Sequence, residues 1–164
     1  MSATGPQRRA TKSRDDWETP WDFYLALDAE FYFTLDAAAT EENAKSFDFI
    51  TPEQDSLSVE WAGTVWLNPP WGRGLDAWVE KCIKQADRGC TVVALLPNRT
   101  DCRWFWGRVL KTADEVRFVE GRIAFVGTTS SPTEGCMVVV WRPNPRLRSG
   151  SPRISSMKKG ARDG

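Results

Sequence analysis

Four consecutive residues, Asn68, Pro69, Pro70 and Trp71, combine types that could do chemistry together. The Asn68 side-chain oxygen and the Pro69 carbonyl can both accept a hydrogen bond from a single NH2 group. Trp71 can stack on the flat ring that bears such an amine. An exocyclic amine on a heteroaromatic ring is a poor nucleophile, because its lone pair is delocalised into the ring. Two acceptors gripping its two hydrogens favour a pyramidal nitrogen and localise the pair. That stabilises charge as it develops and requires no prior proton abstraction. The amine can then attack a strong electrophile directly, and its proton leaves afterwards to water.

The residues before this tetrapeptide supply its support. Thr64 to Leu67 is a short apolar, β-branched run that reads as a buried strand. Pro69 and Pro70 forbid both a continuing strand and an immediate helix, and they hold Asn68 extended. The result is a rigid shelf at the C-terminal end of a strand, where open α/β sheets place their ligands.

Composition removes several alternatives. The chain has 164 residues, which suits one domain with tails. It contains no histidine, so histidine bases and Ser-His or Cys-His nucleophiles are excluded. Its four cysteines (Cys82, Cys90, Cys102 and Cys136) show no C-x-x-C spacing, which argues against a metal site and for reduced thiols. No apolar run is long enough to span a membrane. Met1 to Arg14 lacks the apolar stretch of a signal peptide. The formal net charge of zero hides an asymmetry. Both ends are basic, whereas 21 acidic residues face 11 basic ones between residues 15 and 141. Such a body binds a polyanion only through local patches or tails, weakly and with strong salt dependence.

Taken in order, residues 1–14 read as a disordered basic tail and 15–143 as the folded domain. Thr19 is placed as the N-cap and Pro20 as the first residue of a helix reaching about Asp28. Phe31 to Leu35 reads as a strand ending at Asp36, and Ala37-Ala38-Ala39 as the start of a short helix through Lys45. Phe47 to Ile50 is a further short strand, and residues 51–60 a loop containing Asp55. After the shelf come a helix from Leu75 to Asp87, a buried strand from Thr91 to Leu96 and a helix from Asp101 to Leu110. Strands follow at Glu115–Val119, Arg122–Val126 and Cys136–Trp141, with a loop over 127–135. Residues 144–164 read as a second disordered basic tail. Strands alternating with helices imply an α/β doubly wound sheet, mostly parallel and flanked by helices, with one antiparallel neighbour at the end.

Asn-Pro-Pro-Trp resembles the (D/N/S)-P-P-(Y/F/W) motif of S-adenosylmethionine-dependent amino-methyltransferases. The ordered set is more specific. Trp17-Glu18-Thr19-Pro20, Leu35-Asp36-Ala37-Ala38, Asn68-Pro69-Pro70-Trp71, Leu96-Pro97 and Gly121-Arg122-Ile123-Ala124-Phe125, followed by a Gly before Val138-Val139-Val140, resemble the phage-type DNA N-6-adenine methyltransferase (Dam) family. The resemblance covers roughly Asp16 to Trp141. It implies a Rossmann-like methyltransferase fold, S-adenosylmethionine as cofactor, a flipped adenine in double-stranded DNA as substrate and a cytoplasmic setting. Trp17, Thr19 and Pro20 match the segment that contacts the cofactor's methionine end, where free N–H groups of a helix start suit a carboxylate. Asp36, Ala37 and Ala38 match the first-strand motif, with alanines in place of the glycines of many methyltransferases. Asp55 is a candidate acceptor for the cofactor's adenine amine. Arg122 is a candidate partner of Asp36 or of DNA, and Arg73, Arg99, Arg103 and Arg108 are further DNA candidates. Amino-methylation of cytosine N4 or of an RNA base shares the chemistry, and a non-catalytic nucleic-acid-binding homologue shares the fold. With no room for a large recognition domain, the expected target site is short or relaxed, read by loops 97–103 and 127–135.

Overall fold

A computed structural model describes residues 17–128, 132–143 and 150–160. The expected N-terminal tail, residues 144–149 and part of loop 127–135 lie outside the described residues. Helix α1 (Trp21–Phe31) leads to strand β1 (Leu35–Asp36), then to β2 (Thr64–Leu67), helix α2 (Leu75–Asp87) and β3 (Thr91–Pro97). A wide π-helical turn (Phe105–Val109) runs into α3 (Leu110–Thr112), followed by β4 (Glu115–Glu120), β5 (Cys136–Trp141) and β6 (Arg153–Lys158).

The six strands form one sheet in the order β1-β2-β3-β5-β4-β6. β1, β2 and β3 pair in parallel, β5 is antiparallel to both β3 and β4, and β6 is parallel to β4. Five strands therefore point one way and only β5 is reversed. β3 and β5 sit centrally, and their apolar runs are buried almost throughout. The apolar positions of α2 recur every three to four residues, so Leu75, Val79, Cys82 and Ala86 fall on one buried face. Gln85, buried among them, accepts the Trp61 amide N–H at 2.8 Å, so its polar head costs little. α1 buries Phe23, Tyr24 and Leu27, and Tyr24 meets Trp66 of β2 edge to face.

Several sequence expectations are corrected. The first helix begins at Trp21, with Pro20 at its cap position and no side-chain cap. The Thr19 hydroxyl is unavailable for capping because it is engaged by Asn68. The first strand shrinks to Leu35–Asp36, since Tyr32 closes α1 in the left-handed conformation, φ 56°, with its N–H on Asp28 O. No helix follows Ala37. The Ala37 N–H goes to Trp66 O and the Ala39 N–H to Ile50 O, so these amides serve neighbouring chain segments. Phe47 to Ile50 forms only a single bridge, Phe49 to Asp36. Residues 122–126 form no strand, although Val126 bridges to Glu18. The helix expected over 101–110 is shifted towards residue 112 and widened into its π turn.

The largest correction concerns the C-terminal tail. Residues 153–158 are a regular strand paired with the whole of β4, where the sequence suggested disorder. An edge strand exposed on both faces needs few apolar residues, and only Ser155 and Met157 are half-buried. Backbone pairing to β4 therefore specifies it, and composition gives little sign of it.

Candidate active site

Asp36 ends β1 and Asn68 follows the end of β2, side by side because the two strands pair in parallel with Asp36 opposite Trp66. Both thus lie at the C-terminal edge of the sheet, where the crossing chain opens a crevice. The Asn68 amide NH2 donates to Trp17 O at 2.8 Å and to Thr19 Oγ1 at 3.1 Å. With the NH2 held in this way, Asn68 Oδ1 accepts no bond from any described residue. The Pro69 carbonyl is likewise uncommitted among the described residues. Two free acceptors on a proline-stiffened shelf are what an amine with two hydrogens requires.

Two hollows meet at this point. One, of about 280 Å3, is lined by Ala37, Ala38, Asp55, Asn68, Pro70 and Trp78 among others. A second, of about 40 Å3, is lined by Trp17, Glu18, Thr19, Asp36, Lys45 and Asn68 among others. Ala38, Asn43 and Asn68 border both. A larger, more open hollow of about 450 Å3 lies by Thr34 and Gly63, at the start of β1 and β2, and holds none of the candidate residues.

Asp36 is 3% exposed. Its carboxylate accepts the Lys45 N–H at 3.0 Å and the Ala38 N–H at 3.3 Å. Burial pushes it up to about 6, against the opposing pull of those two amides and the Lys45 charge. Lys45 Nζ pairs with Glu18 at 2.7 Å and lies 4.2 Å from the Trp21 ring centre, so its charge is already committed. Asp55 stands in the left-handed conformation, φ 52°, after the short turn Pro52–Gln54. Its exposed side chain makes no bond to a described residue.

Trp71 lies deeper than an open stacking platform would. The ring is 2% exposed and borders neither hollow at Asn68. It sits edge-on to Trp17 at 5.5 Å and to Phe125 at 5.2 Å, and its indole N–H goes to Leu95 O at 3.3 Å. Trp71 thus wedges the shelf against the core and offers no open face to a base. The arginines also divide. Arg73 and Arg103 are exposed with no described partner. Arg99 is gripped by Glu134 through two bonds of 2.7 and 2.9 Å, and Arg108 is held by Asp76 and Glu80. Arg122 donates to Pro132 O at 3.3 Å, not to Asp36. Sequence reasoning gave no role to Glu18, Lys45, Asn43 or Trp78. Their contributions depend on loop closure over β1 and leave no local pattern.

A model of one protein family, described as DNA N-6-adenine-methyltransferase (Dam), matches residues 7–162, a span that includes β6. The chain is 30% identical over 157 residues to the DNA N-6-adenine-methyltransferase of Haemophilus phage HP1 (strain HP1c1), covering 89% of this chain and 91% of that protein. It is 32% identical over 141 residues to the DNA N-6-adenine-methyltransferase of Escherichia phage T1, covering 74% of this chain and 58% of that one. No helix among the described residues is long and apolar enough to cross a membrane, and no group of three or more metal-ligating side chains occurs among them. The family-model match over residues 7–162 and the 30% identity to a relative covered over 91% of its length place this chain in the DNA N-6-adenine-methyltransferase (Dam) family.

Proposed function

We propose that this DNA N-6-adenine methyltransferase takes its methyl group from S-adenosylmethionine and delivers it to a flipped adenine of double-stranded DNA held by Asn68 and Pro69. The observation that carries the reading is the fixed Asn68 amide. Its NH2 is pinned by Trp17 and Thr19, and its Oδ1 is left free beside the cleft.

The cleft suits the cofactor by its donor set. A carboxylate stands at each end, Asp36 in the small hollow and Asp55 in the larger one, with apolar Ile50, Pro52, Pro70 and Trp78 between. That pattern fits a ligand with an ammonium at one end and a planar, amine-bearing ring at the other. Asp36 and Thr19, with the free amides at the start of α1, would hold the amino-acid end, and Asp55 the adenine amine. The cofactor supplies an electrophilic methyl group.

The chain's own work is to bind and orient. Asn68 Oδ1 and the Pro69 carbonyl accept the two hydrogens of the target N6 amine, which localises its lone pair for in-line attack. No side chain has to abstract a proton first, in keeping with a chain that lacks histidine. Flipping the base costs a few kcal/mol. Burial of Trp71 leaves the amine acceptors, and not a tryptophan platform, to offset that cost. Arg73, next to the shelf and exposed, would meet a phosphate near the flipped base, and Arg103 a more distant one.

The test is direct. Protein, labelled S-adenosylmethionine and unmethylated DNA are incubated at low salt, and the DNA is digested to nucleosides. Label in N6-methyladenine, lost in Asn68→Ala, is the expected result. Label in N4-methylcytosine, or unchanged turnover in Asn68→Ala, would overturn the assignment.

A further inference from the structure

The polarity of the sheet brings a group of cations to the active edge that the tail-like sequence conceals. β3 is antiparallel to β5 and β5 to β4, so β4 and its parallel partner β6 point the same way as β1 and β2. The C-terminal end of β6, Lys158 and then Lys159, therefore emerges on the same edge as Asn68. Both lysines are exposed and unpaired among the described residues. A Cβ at Gly121 would stand 3.7 Å from Lys159 Nζ, which puts that ammonium beside Gly121, the chain neighbour of Arg122. Three residues after Arg122, Phe125 packs on Trp17 and Trp71. One at Gly160 would lie 2.6 Å from Asp22 Oδ2, so the chain after β6 returns to the start of α1.

Neither nearby acid is ion-paired with these lysines, and the two lysines with Arg122 outnumber the two carboxylates, Glu120 and Asp22. Glu120, opposite Lys158 in the β4–β6 register, accepts the Ser156 hydroxyl at 3.1 Å. Asp22 accepts the Phe23 N–H at 2.9 Å within its own helix. Elsewhere the arginines of the body are consumed by ion pairs, as with Arg99, Arg108 and Arg117. In a body so rich in acid, free cations on the active edge are the groups able to attract a polyanion.

We propose that Lys158 and Lys159, with Arg122, form a phosphate-binding ledge for the substrate duplex, at the far end of the active edge from Arg73. This rests on the methyltransferase reading above. At about 4.8 Å per strand, the four spacings from β2 to β6 cover roughly 19 Å. With about 3.4 Å of helix axis per phosphate of one strand, a duplex lying along this edge meets the ledge roughly five or six nucleotides from the flipped base. It anchors the duplex and reads no sequence.

The experiment compares wild type, the Lys158→Gln/Lys159→Gln double variant and Arg153→Gln, which removes a cation at the opposite end of the same strand. Affinity for a duplex carrying a methylatable adenine is measured across a salt series, together with KM and kcat. The double variant is expected to raise KM for DNA at moderate salt. Its salt slope should be shallower by about two, at roughly 0.9 per lost phosphate contact. Turnover at saturating DNA should stay near that of the wild type, and Arg153→Gln should leave the slope as it was. Lys158→Arg/Lys159→Arg should restore the slope, which separates lost charge from a disturbed strand. An unchanged slope in the double variant, an equal loss in Arg153→Gln, or no rescue by arginine would overturn the ledge while methylation by the wild type continued. A wild type that methylated no adenine would instead overturn the reading beneath it.

Discussion

The Asn68 amide donates to the Thr19 hydroxyl at 3.1 Å, joining two residues 49 positions apart in the chain. This bond, with the one to Trp17 O, sets which end of the amide faces a substrate. Removing Asn68 as Asn68→Ala should lower kcat by about 10²–10³-fold, the usual cost of one preorganised group acting on developing charge. Thr19→Val keeps the shape but removes one anchor. It should lower kcat by about tenfold, or 1.4 kcat-derived kcal/mol, while Thr19→Ser keeps most activity. Steady-state kinetics on DNA check both, and a Thr19→Val enzyme as fast as wild type would show that the anchor is dispensable.

Burial of Trp71 makes its replacement a stability mutation. Trp71→Ala should cost about 3–5 kcal/mol by opening a cavity beneath the shelf. Trp71→Phe, which keeps the contacts with Trp17 and Phe125, should cost markedly less. Denaturant unfolding followed by fluorescence reads the difference. If Trp71→Ala kept full stability and only weakened DNA binding, the ring would be a base platform after all.

Asp36 ties pH to folding and, on the proposed reading, to cofactor binding. Its folded pKa, about 6, lies above the ordinary carboxylate value near 4. The folded state therefore holds more protons between those values, and this group's contribution to stability falls as pH rises through that window. Cofactor binding has the opposite sign, because a ligand ammonium prefers the ionised carboxylate. Affinity for S-adenosylmethionine should fall about tenfold per pH unit below about 6. Asp36→Asn should weaken binding at neutral pH and flatten the profile. Calorimetric titration at several pH values checks this.

Arg117 links α1 to the sheet. Its guanidinium bonds Glu30 of α1 through two contacts of 2.7 Å, reaches Glu115 at 2.6 Å and lies 5.3 Å from the Phe31 ring centre. Bonding to Glu30 holds the guanidinium well above its usual range, and the Arg117 bond in turn lowers the Glu30 carboxyl. Arg117→Ala removes both bonds to Glu30 and leaves the partly buried Glu115 with Arg142 alone, at 2.9 Å, and should cost about 1.5–3 kcal/mol of stability. Thermal unfolding measures that loss, and kcat on the surviving folded fraction should stay near the wild-type value.

What could be read from the sequence followed burial. Thr64–Leu67, Thr91–Leu96 and Cys136–Trp141 are apolar because they are central, and α2 shows its buried face by spacing. Asn68 was legible because two prolines and a strand end define its place locally. β6 was not, since an exposed edge strand is specified by its partner's backbone. Nor was the placement of Trp71, because an aromatic after a proline pair looks the same whether it faces a ligand or the core. The Glu18–Lys45 pair joins segments 27 residues apart and shows no spacing rule.

The strand order has a consequence for synthesis. β5, the strand on which β3 and β4 both depend, is fifth in the chain yet central in the sheet. A nascent chain ending before residue 136 exposes the long apolar edge of β3 with nothing to pair it. That edge is covered only once residues 136–141 are available to pair with it. Folding is therefore governed by long-range closure, which is slow and leaves sticky edges open. A stop codon before residue 136 would leave the β3 edge unpaired and open to aggregation.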